Sequence, residues 1–244
     1  MRLVLLSSIF YVDIYYIKNM VIIILFIILI FFKYTSKSLS WKPKYYFKEA
    51  EYFYNNRYIF KKELEKVLND NWSIWSYDYT KTPIFTLMSH NDIKDKLDNS
   101  NSKIGSTKDP SWRLYGLILN KQILDTSKKC PETLKILNKY SDKILNAGFS
   151  LMEPGSHLGK HQDFNNTFFR LHIPILIPKN NNIKNKIFVS KSEALNEKLA
   201  VLQVENDYRI WRDDDYFIFD DTYMHDAWNN TDELRIVLLI DILK

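Results

Sequence analysis

Four of the five histidines, His157, His161, His172 and His225, fall in the last hundred residues; the fifth is His90. His161 and Asp163 stand one residue apart, in a stretch that opens on Pro154 and Gly155. His225 comes later, after Phe219-Asp220-Asp221, and Arg235 follows ten residues on. A lone His-x-Asp pair is weak, since it is as often a surface Asp beside a structural His. The ordered combination says more. Two imidazoles and a carboxylate on one face make the facial triad of a non-haem Fe(II) oxygenase, with open positions for a bidentate 2-oxo acid and for dioxygen. An oxo-diacid needs a cation for its far carboxylate, and the planar fork of Arg235 matches one. Zinc hydrolysis competes for a His/His/Asp set, but it would want a general base beside the metal and leaves Arg235 without purpose. From another class, a non-catalytic jelly-roll binding module would need neither the triad nor Arg235.

Short strands must hold these groups. Phe149–Met152, Phe168–Ile177, Ile187–Ser190, Tyr208–Trp211, Tyr216–Phe219 and Arg235–Ile242 are β-branched or aromatic and separated by polar turns. Only Lys191–Leu202 carries a helical period among them. So many strands in about a hundred residues predict a mainly β, double-stranded β-helix (jelly roll) with flanking helices. Upstream, Phe60, Leu64, Val67 and Leu68 predict a helix from Tyr58, ended near Asn71-Trp72. Asn91–Asp109 reads as loop, Trp112–Leu119 as a strand, and Pro131–Tyr140 as a helix with Pro in its first turn.

Met20–Phe32 is uninterruptedly apolar. Thirteen residues of helix rise only about 20 Å, short of the ~30 Å hydrocarbon core. Ile14 to Tyr34 completes a span, with Lys18 and Lys33 at its interfaces. This predicts one N-terminal transmembrane helix, retained because no small-residue cleavage site follows. Lys33, Lys37, Lys42, Lys44 and Lys48 outweigh Arg2 and Lys18 on the other flank, which places the catalytic domain in the cytoplasm of a single-pass membrane protein. The expected organisation is an anchor over 1–35, a linker over 36–45 and a catalytic domain over 46–244, with its jelly-roll core about 147–244.

Composition removes other classes. With 5 Gly there is no glycine-rich phosphate loop. One cysteine, Cys130, excludes an intrachain disulfide framework and a Cys-based zinc site; before Pro131 at a helix start it reads as packing. The net charge of +5 comes without a dense Lys/Arg run, so no nucleic-acid partner is expected. The many Trp and Tyr residues read as core and interface.

Gly148 to Asp163, Phe168-Phe169-Arg170-Leu171-His172 and Phe219 to Arg235 together resemble the aspartyl/asparaginyl β-hydroxylase family. The similarity runs from about Trp112 to Ile242, and Cys130-Pro131-Glu132-Thr133 fits it. The resemblance implies a double-stranded β-helix and an Fe(II)- and 2-oxoglutarate-dependent dioxygenase that uses O2 to hydroxylate an unactivated C–H bond. It implies His161 and His225 as iron ligands, Arg235 as the 2-oxoglutarate anchor, and Ser150, Arg170 and His172 as further residues of the co-substrate site. Asp163 stands where the animal peptidyl hydroxylases have Gly and where the lipid A and ornithine-lipid hydroxylases have Asp. That points to a membrane-lipid acyl chain as substrate, with the Asp or Asn side chain of a protein as the alternative. His157 is expected as a supporting or structural His, and Asp220 or Asp221 as a partner of the metal histidine. The sequence departs from the family at Ile173-Pro174, at Ile118, where the animal enzymes have Trp, and in about a dozen residues around Lys191–Val201 that look inserted.

Overall fold

A computed structural model describes residues 18–27, 40–70, 72, 75–76, 84–85, 112–183 and 185–244. The chain divides into two units, Met1–Leu39 and Ser40–Lys244. In the first, residues 18–27 are helical and residues 20–27 expose large apolar side chains. The rest of the span expected over 14–34 lies outside the described residues, and no described helix is long and apolar enough to cross a membrane. The expected loop over 91–109 also lies outside them.

Two antiparallel sheets make up the second unit. The strands are β1 (Trp41–Lys42), β2 (Trp112–Leu119), β3 (Gln122–Ile123), β4 (Ile144–Met152), β5 (Ser156–His161), β6 (Phe168–Leu176), β7 (Phe188–Val189), β8 (Ala200–Val204), β9 (Asp207–Ile210), β10 (Phe217–Phe219), β11 (His225–Asn229) and β12 (Arg235–Leu243). The larger sheet runs β1-β10-β6-β12-β4-β2-β3, the smaller β5-β11-β8-β9-β7. A separate two-residue ribbon pairs Trp75–Ser76 with Ile84–Phe85. The helices are α1 (Glu49–Asn55), α2 (Arg57–Val67), α3 (Pro131–Asn138) and α4 (Lys191–Asn196).

The larger sheet is buried on both faces, and side-chain alternation assigns each face a task. On β12, Ile236, Leu238, Ile240 and Ile242 join Phe149, Leu151, Leu171 and Ile173 in a core with Phe53, Phe60, Leu64 and Leu137 of the helices. Val237 faces the other way, toward Trp112, Met152, Phe219 and the smaller sheet's Leu158, Leu202 and Ala227. The predicted mainly β, two-sheet jelly roll with flanking helices is therefore observed.

Helix α2 buries Phe60, Leu64 and Val67 as their spacing predicts, while Leu68 lies past its end and is exposed. Trp72 stops the helix by donating its indole N–H to the Val67 carbonyl at 3.0 Å. The helical period over Lys191–Leu202 resolves differently. A capping box between Ser190 and Glu193 starts α4, which ends at Asn196. The chain turns at Lys198 (φ 49°) and enters β8, between β9 and β11 in the smaller sheet.

The bounds also shift. The first sheet begins before residue 147, because β2 pairs along β4. Within the stretch expected as linker, Trp41 pairs with Phe219 at the sheet edge and is buried. Its indole fits edge-on against Phe217 at 5.5 Å, which ties this stretch to the strand that leads toward His225.

Candidate active site

The two sheets enclose a cavity with about 760 Å³ of empty space, part of it open to solvent. His161, Arg170, His172, His225, Arg235 and Ser150 all line it. His161 closes β5 and His225 opens β11, and the two are register partners across the strand pair. Their rings lie 4.1 Å apart between centroids. His161 Nδ1 lies 2.7 Å from the Gly159 carbonyl and His225 Nδ1 lies 2.9 Å from the Tyr223 carbonyl. A carbonyl only accepts, so both Nδ1 atoms carry the proton and Nε2 is the lone-pair nitrogen of each ring. Burial pushes both imidazoles below their ordinary range, His225 furthest, with each other's or Arg170's charge adding to the effect. Two adjacent, neutral imidazoles, that of His225 buried, are the protonation state that a metal requires.

Opposite them sits Arg235, only 2% exposed. Its Nη1 donates to the Ser150 carbonyl at 3.0 Å and to Ser150 Oγ at 3.3 Å. Trp112 Nε1 donates to the same hydroxyl at 3.2 Å, and the guanidinium lies 4.5 Å from the centre of the Trp211 ring. Arg235 makes no salt bridge among the described residues, and burial alone pushes its pKa down to about 9. Its Nε has no hydrogen-bond partner. His172 Nδ1 accepts from Trp211 Nε1 at 3.1 Å, so the proton of its ring is on Nε2, which is also buried and unpartnered. Burial, then the charges of Arg235 and Arg170, hold His172 well below its ordinary range. Two buried donors without acceptors and an uncompensated cation in one cavity call for an anion. A carboxylate of an organic acid fits them.

Arg170 is fixed from behind. Its Nε donates to Asp241 Oδ1 at 2.8 Å, and Asn146 Nδ2 donates to Asp241 Oδ2 at 2.8 Å. Its Nη1 is 3.1 Å from Asp221 Oδ2. That contact is an ion pair without hydrogen-bond geometry, since neither Asp221 oxygen has a hydrogen-bond partner. Burial, assisted by the charge of Asp241, raises the Asp221 pKa against the pull of Arg170.

Asp163 is placed otherwise. Its backbone N–H donates to the Asp221 carbonyl at 2.9 Å, which ties it to the loop before His225. Its Oδ1 accepts from the Asn165 N–H at 2.9 Å, however, and it is not among the cavity-lining residues. Among the described residues, no three His, Cys, Asp or Glu side chains converge as a metal cluster. The structure thus brings two members of the expected triad together, while the Asp163 carboxylate accepts from the Asn165 N–H and stands close enough for its charge to act on His161. The expected link from Asp220 or Asp221 to the metal histidine is replaced by the Tyr223 carbonyl; Asp220 instead turns the loop, accepting from Thr222 Oγ1 at 2.7 Å. Sequence reasoning missed Trp112 and Trp211, which line the cavity, and Asp241, which holds Arg170. The only signal was positional: Asp241 keeps the inward parity of Arg235.

Residues 55–244 match the model of the family described as aspartyl/asparaginyl beta-hydroxylase. The chain is 33% identical over 137 residues to an ornithine lipid ester-linked acyl 2-hydroxylase of Rhizobium tropici, covering 56% of this chain and 43% of that protein. It is 24% identical over 119 residues to the aspartyl/asparaginyl beta-hydroxylase of Mus musculus, covering 47% of this chain and 14% of that protein. The chain therefore spans less than half the length of either. Among solved structures, an oxidoreductase of the 2OG-Fe(II) oxygenase family from Burkholderia pseudomallei aligns with a TM-score of 0.39 and 10% identity, over 54% of this chain and 66% of that one. With its family model matched over residues 55–244, which hold every histidine and arginine of the cavity, the chain belongs to the aspartyl/asparaginyl beta-hydroxylase family.

Proposed function

We propose that this chain is an Fe(II)- and 2-oxoglutarate-dependent hydroxylase acting on an acyl chain of a membrane lipid. The observation that carries the reading is the pairing within one cavity of two neutral imidazoles with a buried, uncompensated Arg235. His161 and His225 would hold the iron, with Asp163 as third ligand once its carboxylate swings from Asn165. Arg235, with Ser150 beside it, grips the distal carboxylate of 2-oxoglutarate, and His172 Nε2 supplies a further donor. Arg170, braced by Asp241, presents positive charge on the metal side. The bound iron supplies the oxidative chemistry, using O2 and 2-oxoglutarate to place a hydroxyl on the substrate. The protein contributes neutral ligands, a fixed cation and the exclusion of water by Trp112, Leu114, Trp211 and Phe219.

A lipid substrate is supported by the Rhizobium tropici relative, whose name states acyl 2-hydroxylation, and by the carboxylate at position 163. Hydroxylation of an Asp or Asn side chain is the second reading, favoured by the mouse relative. The lipid reading attaches the chain to the bilayer through residues 14–34, with the domain in the cytoplasm. The apolar run Met20–Phe32 and the lysines after it support this. Modification of a glycosylation tag fused after Lys244 would overturn that orientation.

The test is succinate release from 2-oxoglutarate by the full chain with and without Fe(II). Release should need the metal and fall to background in His225→Ala. Turnover in metal-stripped protein would sink the reading. Mass spectrometry of lipids and proteins from cells with and without the gene, tracking the gain of one oxygen, separates the two substrates.

A further inference from the structure

The strand pair that carries both metal histidines is irregular. His225 faces His161, yet Ala227 faces Leu158, so Gly159 and Lys160 of β5 together oppose Asp226 alone. This is a β-bulge, and bulges next to active sites re-aim side chains. Here the bulged residue Gly159 supplies the carbonyl that receives His161 Nδ1. The orientation of one metal histidine thus depends on the shape of the bulge.

A second contact reaches the residue opposite the bulge from the outer face of the smaller sheet. Ala227 points inward to the core, so its neighbours Asp226 and Trp228 point outward. Asp226 Oδ1 lies 2.7 Å from His157 Nε2. The Asp226 side chain is 5% exposed and the His157 side chain 53% exposed. Behind the pair, the Trp228 ring lies 5.5 Å from His157 and stacks on Tyr208 at 5.6 Å. The link joins the fourth residue before His161 to the first residue after His225, and so lies beside the two histidines on the bulged side of the ladder without lining the cavity.

We infer that His157 and Asp226 are positioning residues for the metal centre: their contact beside the bulge keeps the His161 and His225 rings converging on one point. A carboxylate buried on an outward face needs a partner there, and His157 provides it from the opposite strand. This rests on the reading that His161 and His225 hold a metal.

The experiment uses the full chain and Co(II) as probe, reading its affinity by calorimetry and its ligand-field bands by absorption, with the melting temperature of the metal-free protein in parallel. His157→Ala and Asp226→Ala should each weaken Co(II) binding by about 10–100-fold, the range for residues that orient metal ligands, and shift the bands. The double variant should be no weaker than either single one, because one contact is lost in all three. His157→Gln, which keeps a donor near the Nε2 position, should restore affinity and bands. Wild-type affinity and bands in the alanine variants would overturn the inference. So would losses that only follow a falling metal-free melting temperature and are not rescued by His157→Gln. If the wild-type chain takes up no Co(II), the metal reading itself fails, and this inference falls with it.

Discussion

Arg235 and Ser150 are bound to each other across β12 and β4, with Nη1 reaching both the Ser150 carbonyl at 3.0 Å and its hydroxyl at 3.3 Å. The contact fixes the guanidinium but does not neutralise it. Ser150 offers dipoles, and the charge remains for a ligand. Replacing Arg235 with Lys keeps a cation and loses the planar fork. Truncating one side of a buried charge pair costs at least about 2 kcal/mol, or roughly thirtyfold. Arg235→Lys should raise the KM for 2-oxoglutarate by that factor or more, with metal affinity unchanged. An unaltered KM would remove Arg235 from the co-substrate site.

Asp163 offers a sharper test of the metal set, because its Oδ1 is engaged by the Asn165 N–H. If the carboxylate turns to the metal, Asp163→Ala should weaken Fe(II) binding by at least about tenfold, comparable to the loss from disturbing a ligand's support. Calorimetry on the metal-free chain decides this. Equal affinity in the variant would leave the two histidines as the only protein ligands.

Acid should destabilise the metal-free protein. His161, His172 and His225 are all held below the ordinary histidine value of 6.5. Between 6.5 and their lower native values, the unfolded chain binds protons that the native chain does not, so stability is lost as pH falls. Each such histidine contributes up to about 1.4 kcal/mol per pH unit. Asp221 acts in the opposite sense: with its pKa raised, the native state holds a proton there that the unfolded chain has released. The net loss should be on the order of 1–3 kcal/mol per pH unit below 6.5, read as a falling urea midpoint. A midpoint that rises on acidification would contradict the neutral imidazoles.

Glu63 caps a helix from another helix. Its carboxylate accepts the N–H groups of Thr133 at 2.7 Å and Glu132 at 3.2 Å, at the start of α3. Glu63 is buried, so Glu63→Ala leaves two donors without acceptors. The expected cost is about 1–3 kcal/mol, measured by urea unfolding. Activity per folded molecule should be preserved, since the contact lies behind the larger sheet.

Gly148 is required by close approach. A Cβ there would lie 2.7 Å from the Tyr115 carbonyl oxygen, a backbone atom that cannot move aside. Gly148→Ala should push β2 away from β4 and destabilise the fold by about 1–3 kcal/mol. Because Gly148 also lines the cavity, the KM for 2-oxoglutarate should rise as well.

The most legible parts of the sequence were those whose alternation is fully apolar. Trp112–Leu119 and the start of β12 at Arg235 were expected where they occur, because strands buried on both faces read as continuous hydrophobic runs. Strand β5 was not legible. Its Ser156-His157-Leu158-Gly159-Lys160-His161 has one apolar inward residue, since its other positions serve the site, the bulge or the outer face. Strand β8 hid behind the capping box of α4, where a helical signal ran on into Ala200 and Val201. The pair His161 and His225 was found because histidines are rare here and their spacing is ordered. The roles of Trp112 and Trp211 were not, because an indole that donates into a site looks in sequence like any core aromatic. The orientation of Asp163 depends on a hydrogen bond two residues away, which carries no sequence signal at all.

Strand β12 assigns its residues alternately to two separate neighbourhoods. Ile236, Leu238, Ile240 and Ile242 sit in the helix-covered core. Arg235, Leu239 and Asp241 border the cavity. One row can therefore be rewritten while the other is left alone. A change of the group at Leu239 would alter which molecules enter without touching the core row, whereas Asp241 is committed to Arg170. The same two-row arrangement recurs on β4, where Gly148 and Ser150 border the cavity and Phe149 and Leu151 do not. New selectivity is open to this scaffold at inner-row positions, such as Leu239, that neither brace Arg170 nor meet the Tyr115 backbone.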